Sequence, residues 1–262
     1  MFSDDLLIKL PQRRVGPDSP IHNAALSVLL ARACGGPATI VLSSPSGDIP
    51  QVLAAGDTRL MCARSGEWRV ESGEADVTVL NEVFFVKLLS FLDEARNLSS
   101  AQDPDNSPFL NLPVDLALDS DRRHIEFWFL GRTLENDRAL DPFLALLRRT
   151  EAYWLVRYLI TASDKLAGAS LGELGEQYGL SYSHFRRICK QALGNNAKSE
   201  LKGWRIARSL LEVVEHRMTL TDVALKYGYA SSSHFSTEIK NRLGVSPRSL
   251  TDITSLPLDS TQ

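Results

Sequence analysis

The sequence predicts an α+β protein in two parts. A small β-rich N-terminal domain, a reduced barrel with added helices, precedes an all-α C-terminal domain of two helix-turn-helix units joined by a linker helix. Three observations predict this. Between Thr39 and Leu80, short β-branched apolar runs alternate with turns bearing Gly and Pro. Between Asp141 and Ser163, apolar residues keep helical spacing. Beyond residue 164 one pattern is written twice, at an offset of 49 to 50 residues.

The elements follow in order. Residues 1–23 carry Pro11, Gly16, Pro17 and Pro20 and read as a flexible arm. The arm puts acids before bases, the reverse of a secretory signal peptide. "TIVLSS" (39–44) is an apolar strand ended by the turn cluster "PSGDIP". "RLMCA", "EWRVES" and "ADVTVL" follow, separated by turns at Gly66 and Gly73, as an antiparallel meander or small barrel. In "NEVFFVKLLSFLDEARN" (81–97), Phe84, Phe85, Leu88, Leu89 and Leu92 keep helical spacing, so a helix is expected. "SSAQDPDNSP" (99–108) is a polar loop, and periodicity leaves "HIEFWFLG" (124–131) open between strand and buried helix.

"DPFLALLRRTEAYWLVRYLITAS" (141–163) reads as a long helix, with an interruption left open. Asp141 is placed to cap it and Pro142 to occupy its first turn, where the missing N–H costs nothing. Its apolar seam would run through Leu144, Leu147, Trp154, Leu155 and Tyr158. "DKLAGAS" (164–170) marks the expected boundary. The predicted organisation is an arm (1–23), a regulatory or oligomerisation domain (24–163), a helical domain (164–253) and a flexible tail (254–262).

Composition excludes several classes. Apolar residues make up 44% and charged residues 23%, ordinary values for a globular protein. The longest apolar stretches are broken by Asn81, Glu82, Lys87, Arg148, Arg149 and Glu151, so no membrane span and no membrane partner is expected. Cys34, Cys62 and Cys189 are odd in number and far apart, which fits a reduced cytoplasm and no metal or disulfide framework. No Gly-rich phosphate loop, metal-spaced cluster or nucleophile elbow is present, so neither an enzyme nor a cofactor is expected. The net charge of −3 hides an asymmetry: residues 164–253 hold 13 Lys and Arg against 9 Asp and Glu, leaving +4 there and −7 elsewhere. A basic helical part on an acidic body suggests two parts with different partners.

The repeat carries the functional reading. Leu171, Leu174, Tyr178 and Gly179 match Leu220, Val223, Tyr227 and Gly228 at an offset of 49. His184, Phe185, Lys190, Leu193 and Gly194 match His234, Phe235, Lys240, Leu243 and Gly244 at an offset of 50, so the second turn holds one extra residue. Gly179 and Gly228 fit left-handed helix C-termini, and Ser181 and Ser231 or Ser232 can cap the following helices. Gly175 and Ala224 are small enough to let paired helices cross closely. The pattern is a helix-turn-helix, written twice.

At this point residues 167–250 resemble the AraC-type transcription regulators. "AKSELKGWRIARSLLEVV" (197–214) is similar to the family's linker helix, and "LTDVALKYGYASSSHFSTEIKNRLGVSP" to its second-unit signature. Ile239 departs from the aromatic residue usual at that point. The C-terminal half is nearest to the InvF- and MxiE-like activators of type III secretion genes. The resemblance implies a cupin-like N-terminal barrel, promoter double-stranded DNA and RNA polymerase as partners, and a role in virulence. It also implies a type III secretion chaperone as coactivator. Control by a small-molecule effector or by a homodimer is the alternative, and an adaptor without DNA binding is the reading from another class.

Helical spacing turns Tyr182, Ser183, Arg186, Arg187 and Lys190 outward in the first copy, with Phe185, Ile188 and Cys189 inward. Arg186 and Arg187 are the best candidates for base contact, since Arg pairs bidentate with guanine. In the second copy, Ser232, Ser233, His234 and Thr237 offer weaker readers and Lys240 a phosphate contact. Glu238 is acidic where a base is expected. Trp68, Phe127, Trp128, Phe129 and Trp154 are candidates for a partner groove.

Overall fold

The computed structural model describes residues 11–17, 19–23, 26–45, 47–64, 66–98, 109–165, 169–215, 218–244 and 246–247. The expected tail at 254–262 and the first ten residues of the arm lie outside them. The protein is α+β, with a sheet in the first half and helices in the second. Residues 2–154 and 155–262 form separate compact units, the division falling within one helix.

The first unit is built on seven antiparallel strands: β1 (Gln12–Val15), β2 (Pro20–Asn23), β3 (Ser27–Ser44), β4 (Gly47–Leu53), β5 (Thr58–Ala63), β6 (Glu67–Leu80) and β7 (Phe109–Pro113). The order is β1-β6-β3-β5-β7, with β2 added to β6 and β4 to β3. β3 spans 18 residues and serves three partners, pairing β5 through Ser27–Arg32, β6 from Val28 to Ser43, and β4 through Ala38–Ser44. The expected start at Thr39 therefore misses the first two thirds of it. Ser27–Ala31 is buried on both faces, so it reads as a continuous apolar run without the period-2 signal of a half-exposed strand.

β1 and β2 lie in the stretch expected as a flexible arm, and both pair with β6. Arg14 contributes to that attachment by donating two hydrogen bonds to Asp76, at 2.9 and 3.1 Å. The Arg14 bond holds the Asp76 carboxyl below the usual aspartate range. Where β3 and β6 slip register beside Cys34–Thr39, Gly73 has a positive φ, and a side chain there would begin 2.5 Å from the Pro37 carbonyl oxygen. Only glycine fits that approach. Trp68 is fully buried and donates its indole N–H to Ser27 Oγ at 2.8 Å, so it belongs to the core and not to a partner groove.

Four helices follow: α1 (Glu82–Ala95), α2 (Arg122–Leu134), α3 (Asp141–Arg148) and α4 (Glu151–Lys165). Asn81 caps α1 and Asp121 caps α2, each accepting a backbone N–H at 2.9 Å. The open stretch 124–131 is thus helical. Phe85, Phe129 and Phe143 pack edge-to-face with centroids 5.1 to 6.0 Å apart, which places Phe129 in the core. Phe127, by contrast, is 66% exposed.

The long helix predicted from Asp141 is two helices. Thr150 makes the break: its hydroxyl donates to the Leu147 carbonyl at 2.7 Å and accepts the Tyr153 N–H at 3.2 Å, ending α3 and starting α4. Asp141 is no cap. A 3₁₀ turn at Arg138–Leu140 runs directly into α3, so Leu140 holds the cap position without a side-chain bond. Leu144, Leu147 and Leu155 of the expected seam are buried, leaving Trp154 as its exposed member. Arg148 grips the buried Asp93 with bonds of 2.8 and 3.0 Å, and Tyr153 Oη donates to the same carboxylate at 2.7 Å.

The second unit is helical: α5 (Leu171–Gln177), α6 (Tyr182–Leu193), α7 (Ala197–Glu215), α8 (Leu220–Lys226) and α9 (Ser232–Leu243). α8 and α9 recur at the offsets the sequence repeat gives. Among the described residues, no helix is long and apolar enough to cross a membrane.

Candidate nucleic-acid interface

Each repeat copy is a seven-residue helix, a turn and a twelve-residue helix. Local chemistry fixes both turns in the same way. Gly179 and Gly228 have φ of 82° and 69°. Behind them, Leu180 N–H reaches the Gly175 carbonyl at 2.9 Å and Tyr229 N–H the Ala224 carbonyl at 2.8 Å. These are paired Schellman closures, each followed by an apolar residue that packs back. The entry helices are capped as well. Ser170 and Glu173 form a reciprocal capping box on α5, and Thr219 Oγ1 accepts the Asp222 N–H at 3.2 Å on α8.

The longer helices differ at their starts. Ser231 Oγ accepts the His234 N–H at 3.1 Å and caps α9, while Ser232 is the first residue inside that helix. Ser181 holds the cap position of α6 but makes no cap bond; its hydroxyl lies 3.5 Å from Ser183 Oγ.

Apolar faces set which side of each helix looks out. In the first copy, Tyr158, Tyr178 and Phe185 form a ring cluster with centroids 4.8 to 6.3 Å apart, and Tyr158 Oη donates to the Leu174 carbonyl at 2.8 Å. Gly175 lets α6 approach: a side chain there would begin 3.0 Å from Phe185 Cβ. Cys189 is buried, and desolvation pushes its thiol up to about 12, which removes thiolate reactivity near neutral pH. In the second copy, Val223, Ala224, Tyr229, Phe235 and Ile239 pack with Ile206 and Val213 of α7. Ile239 is fully buried in this core.

The opposite faces carry the predicted residues. Tyr182 is 54% exposed, and Ser183, Arg186, Arg187 and Lys190 are all exposed on α6. Ser233, His234, Thr237 and Lys240 are exposed on α9, with Ser232 half-buried. His234 also packs against Tyr229 at 5.8 Å, which braces the turn. Glu238, on the same helix, is buried. It turns inward against α7, facing Lys202 at 3.3 Å and Arg205 at 3.5 Å.

Lys198 was not anticipated. It is exposed near the start of α7 and lines a cavity of about 580 Å³ with Tyr182, Leu171, Leu201, Lys202 and Arg205. Its position in the linker helix, outside both copies of the repeat, gave no sequence signal. Among the described residues, no group of His, Cys, Asp and Glu is arranged to hold a metal ion.

An exposed basic helix on a double helical repeat fits a DNA-binding transcription regulator. A family model described as a helix-turn-helix domain matches residues 174–252. The chain is 46% identical over 170 residues to the invasion protein InvF of Salmonella typhi, covering 65% of this chain and 78% of that relative. It is 45% identical over 121 residues to the transcriptional regulator MxiE of Shigella flexneri, covering 46% and 58%. The chain belongs to the AraC-type family of transcription regulators, in the group that includes these two. Similar solved structures include ToxT of Vibrio cholerae, 11% identical over 95% of this chain and all of that one, with a TM-score of 0.38. An AraC-type regulator of Chromobacterium violaceum is 20% identical over 38% and 91%, with a TM-score of 0.35.

Proposed function

We propose that the chain activates virulence genes of the type III secretion class, in the cytoplasm, by reading promoter DNA with α6 and α9 in successive major grooves. α7 holds the two readers apart, and residues 164–253 with the end of α4 constitute the DNA-binding domain. Arg186 and Arg187 contact bases, Tyr182, Ser183, Ser232, Ser233, His234 and Thr237 assist, and Lys190 and Lys240 anchor phosphates.

One observation carries this reading. Arg186, Arg187, Lys190, Lys198 and Lys240 are exposed and have no carboxylate partner among the described residues. Several cations of the first unit are paired, as Arg14 with Asp76, Arg69 with Asp48, Arg132 with Asp137, and Arg148 with Asp93, and in the helical unit Lys202, Arg205 and Lys226 face carboxylates. Cations left free on α6, α7 and α9 are available to neutralise phosphates.

The activation step falls to the first unit. Phe127 and Leu134 are exposed on one side of α2, two turns apart, which supports a protein partner there. We assign that role to a type III secretion chaperone acting as coactivator, with RNA polymerase recruited at the promoter. The same face also supports the second reading, control by self-dimerisation.

The test is a reporter in a foreign bacterium, driven by the regulator with and without a co-expressed secretion chaperone. Activation that requires the chaperone supports the reading. Full activation by the regulator alone overturns the coactivator and leaves dimerisation or an effector. Promoter binding measured from 50 to 200 mM salt tests the DNA step separately, with a log–log slope of roughly 0.9 per phosphate contact.

A further inference from the structure

We propose that Glu238 is a positioning residue that locks α9 onto the linker helix and so fixes the spacing of the two half-sites. The proposal rests on the two-groove reading above and adds a device to it.

The internal repeat supplies the comparison. At an offset of 50, Glu238 occupies the position held in the first copy by Ile188, which is half-buried and apolar. An apolar contact at that place tolerates sliding, because dispersion and burial are not directional. The second copy instead places a carboxylate there and leaves it only 9% exposed. Lys202 Nζ faces its Oε2 at 3.3 Å and Arg205 Nη2 its Oε1 at 3.5 Å, from positions three residues apart on α7. Both contacts are ion pairs, and Glu238 Oε1 is buried with no hydrogen-bond partner, so the charge attraction of two cations on one helix face is what favours one position along that helix.

A second contact holds the start of α9. The Arg205 guanidinium lies 4.5 Å from the Tyr229 ring centroid, in cation–π range. Tyr229 sits in the turn before α9 and packs on Phe235 at 4.9 Å and on His234 at 5.8 Å. Arg205 therefore touches the middle of the reading helix through Glu238 and its beginning through Tyr229. Two points of attachment fix the direction of α9 as well as its position.

Stability does not explain the carboxylate. Burying an ion pair costs desolvation, and an apolar side chain of similar volume is often as good or better. Ile188 at the equivalent position in the first copy is half-buried, so the repeat itself carries an apolar side chain there. What the ion pair adds is a preferred geometry, and a protein reading two grooves needs the distance between its readers held constant.

The experiment is selection from a random-sequence duplex library with the full chain, comparing wild type with Glu238→Gln, Glu238→Ile and Lys202→Met. Thermal melting of each protein is recorded beside it. Wild type is expected to enrich paired half-sites at one dominant gap. The variants are expected to enrich the same half-site read by α6 with the gap spread over neighbouring lengths, and to lose several-fold less affinity than wild type when one base pair is inserted. Glu238→Ile should melt at or above the wild-type temperature while still losing the gap preference, a combination that lost folding does not produce. If Glu238→Gln proves unfolded, Glu238→Ile and Lys202→Met decide the matter. Folded variants that keep the wild-type gap overturn the positioning role. Wild type enriching single half-sites only overturns the two-groove reading itself, and the proposal with it.

Discussion

Phe185 packs directly on the backbone of Gly175: a side chain on that glycine would begin 3.0 Å from Phe185 Cβ and 3.1 Å from two of its ring atoms. The closeness of α5 and α6 depends on this missing side chain, and through it the presentation of Arg186 and Arg187. The equivalent place in the second copy is held by Ala224, which is buried. Gly175→Val is therefore expected to destabilise the helical unit by about 1–3 kcal/mol, the usual cost of overpacking. Chemical denaturation measures it. An unchanged midpoint would show that α5 and α6 separate freely.

Replacing Arg186 or Arg187 by Ala distinguishes base reading from phosphate anchoring. A base reader should lose about 1–3 kcal/mol at one base pair, with preference relaxed there. Binding to a panel of single-base promoter variants reads this out. Uniform loss over the whole panel would reassign the residue to the backbone.

Where the helical unit begins can be measured with two fragments. Tyr158 belongs to α4, yet its hydroxyl bonds to Leu174 and its ring packs on Tyr178 and Phe185. A fragment starting at Leu155 should be more stable than one starting at Asp164 by about 1 kcal/mol or more, from the lost aromatic packing. Equal melting temperatures would move the boundary back to residue 164.

In the first unit, Arg148→Ala leaves the carboxylate of Asp93, 2% exposed, with Tyr153 Oη and without its cation. Breaking a buried pair from one side costs about 3–5 kcal/mol. Calorimetry on the full chain should show the loss in the transition of the β-rich unit. A shift of less than a degree would mean that water reaches Asp93.

Asp76 gives a pH prediction. Its folded pKa is depressed, chiefly by the Arg14 hydrogen bond, so its contribution is complete above the ordinary value of 3.8 and disappears as pH falls below that through the folded value. Amide exchange in β1 should therefore accelerate in acid below that point, and Asp76→Asn should remove the dependence. Protection of β1 that stays constant down to pH 2 would contradict it.

The sequence revealed the helical half far better than the sheet. Gly179, Gly228 and the paired Tyr-Gly motifs have one conformational meaning each, and being written twice they confirm one another. The outward face of α6 followed from period alone. Glu238 did not, because a charged residue by default reads as exposed, and its partners Lys202 and Arg205 are more than thirty residues away along the chain. In the sheet, the Ser27–Ala31 start of β3 was hidden by burial on both faces, and β1 and β2 by the prolines around them. The α3–α4 break at Thr150 was also obscured, since a threonine that ends one helix and starts the next leaves the apolar spacing on both sides intact.

The length of β3 bears on how the chain emerges from the ribosome. Ser27–Ser44 is synthesised before every strand it pairs with, and its β6 partners extend to Leu80. Until then the run from Val28 to Ala33 has neither its neighbours nor its cover, and long-range strand pairing is slow. The nascent chain thus passes through a window in which an apolar strand is open to intermolecular pairing. Slowing translation between residues 44 and 80 should lengthen that window and lower the soluble yield, whereas slowing it after residue 164 should not.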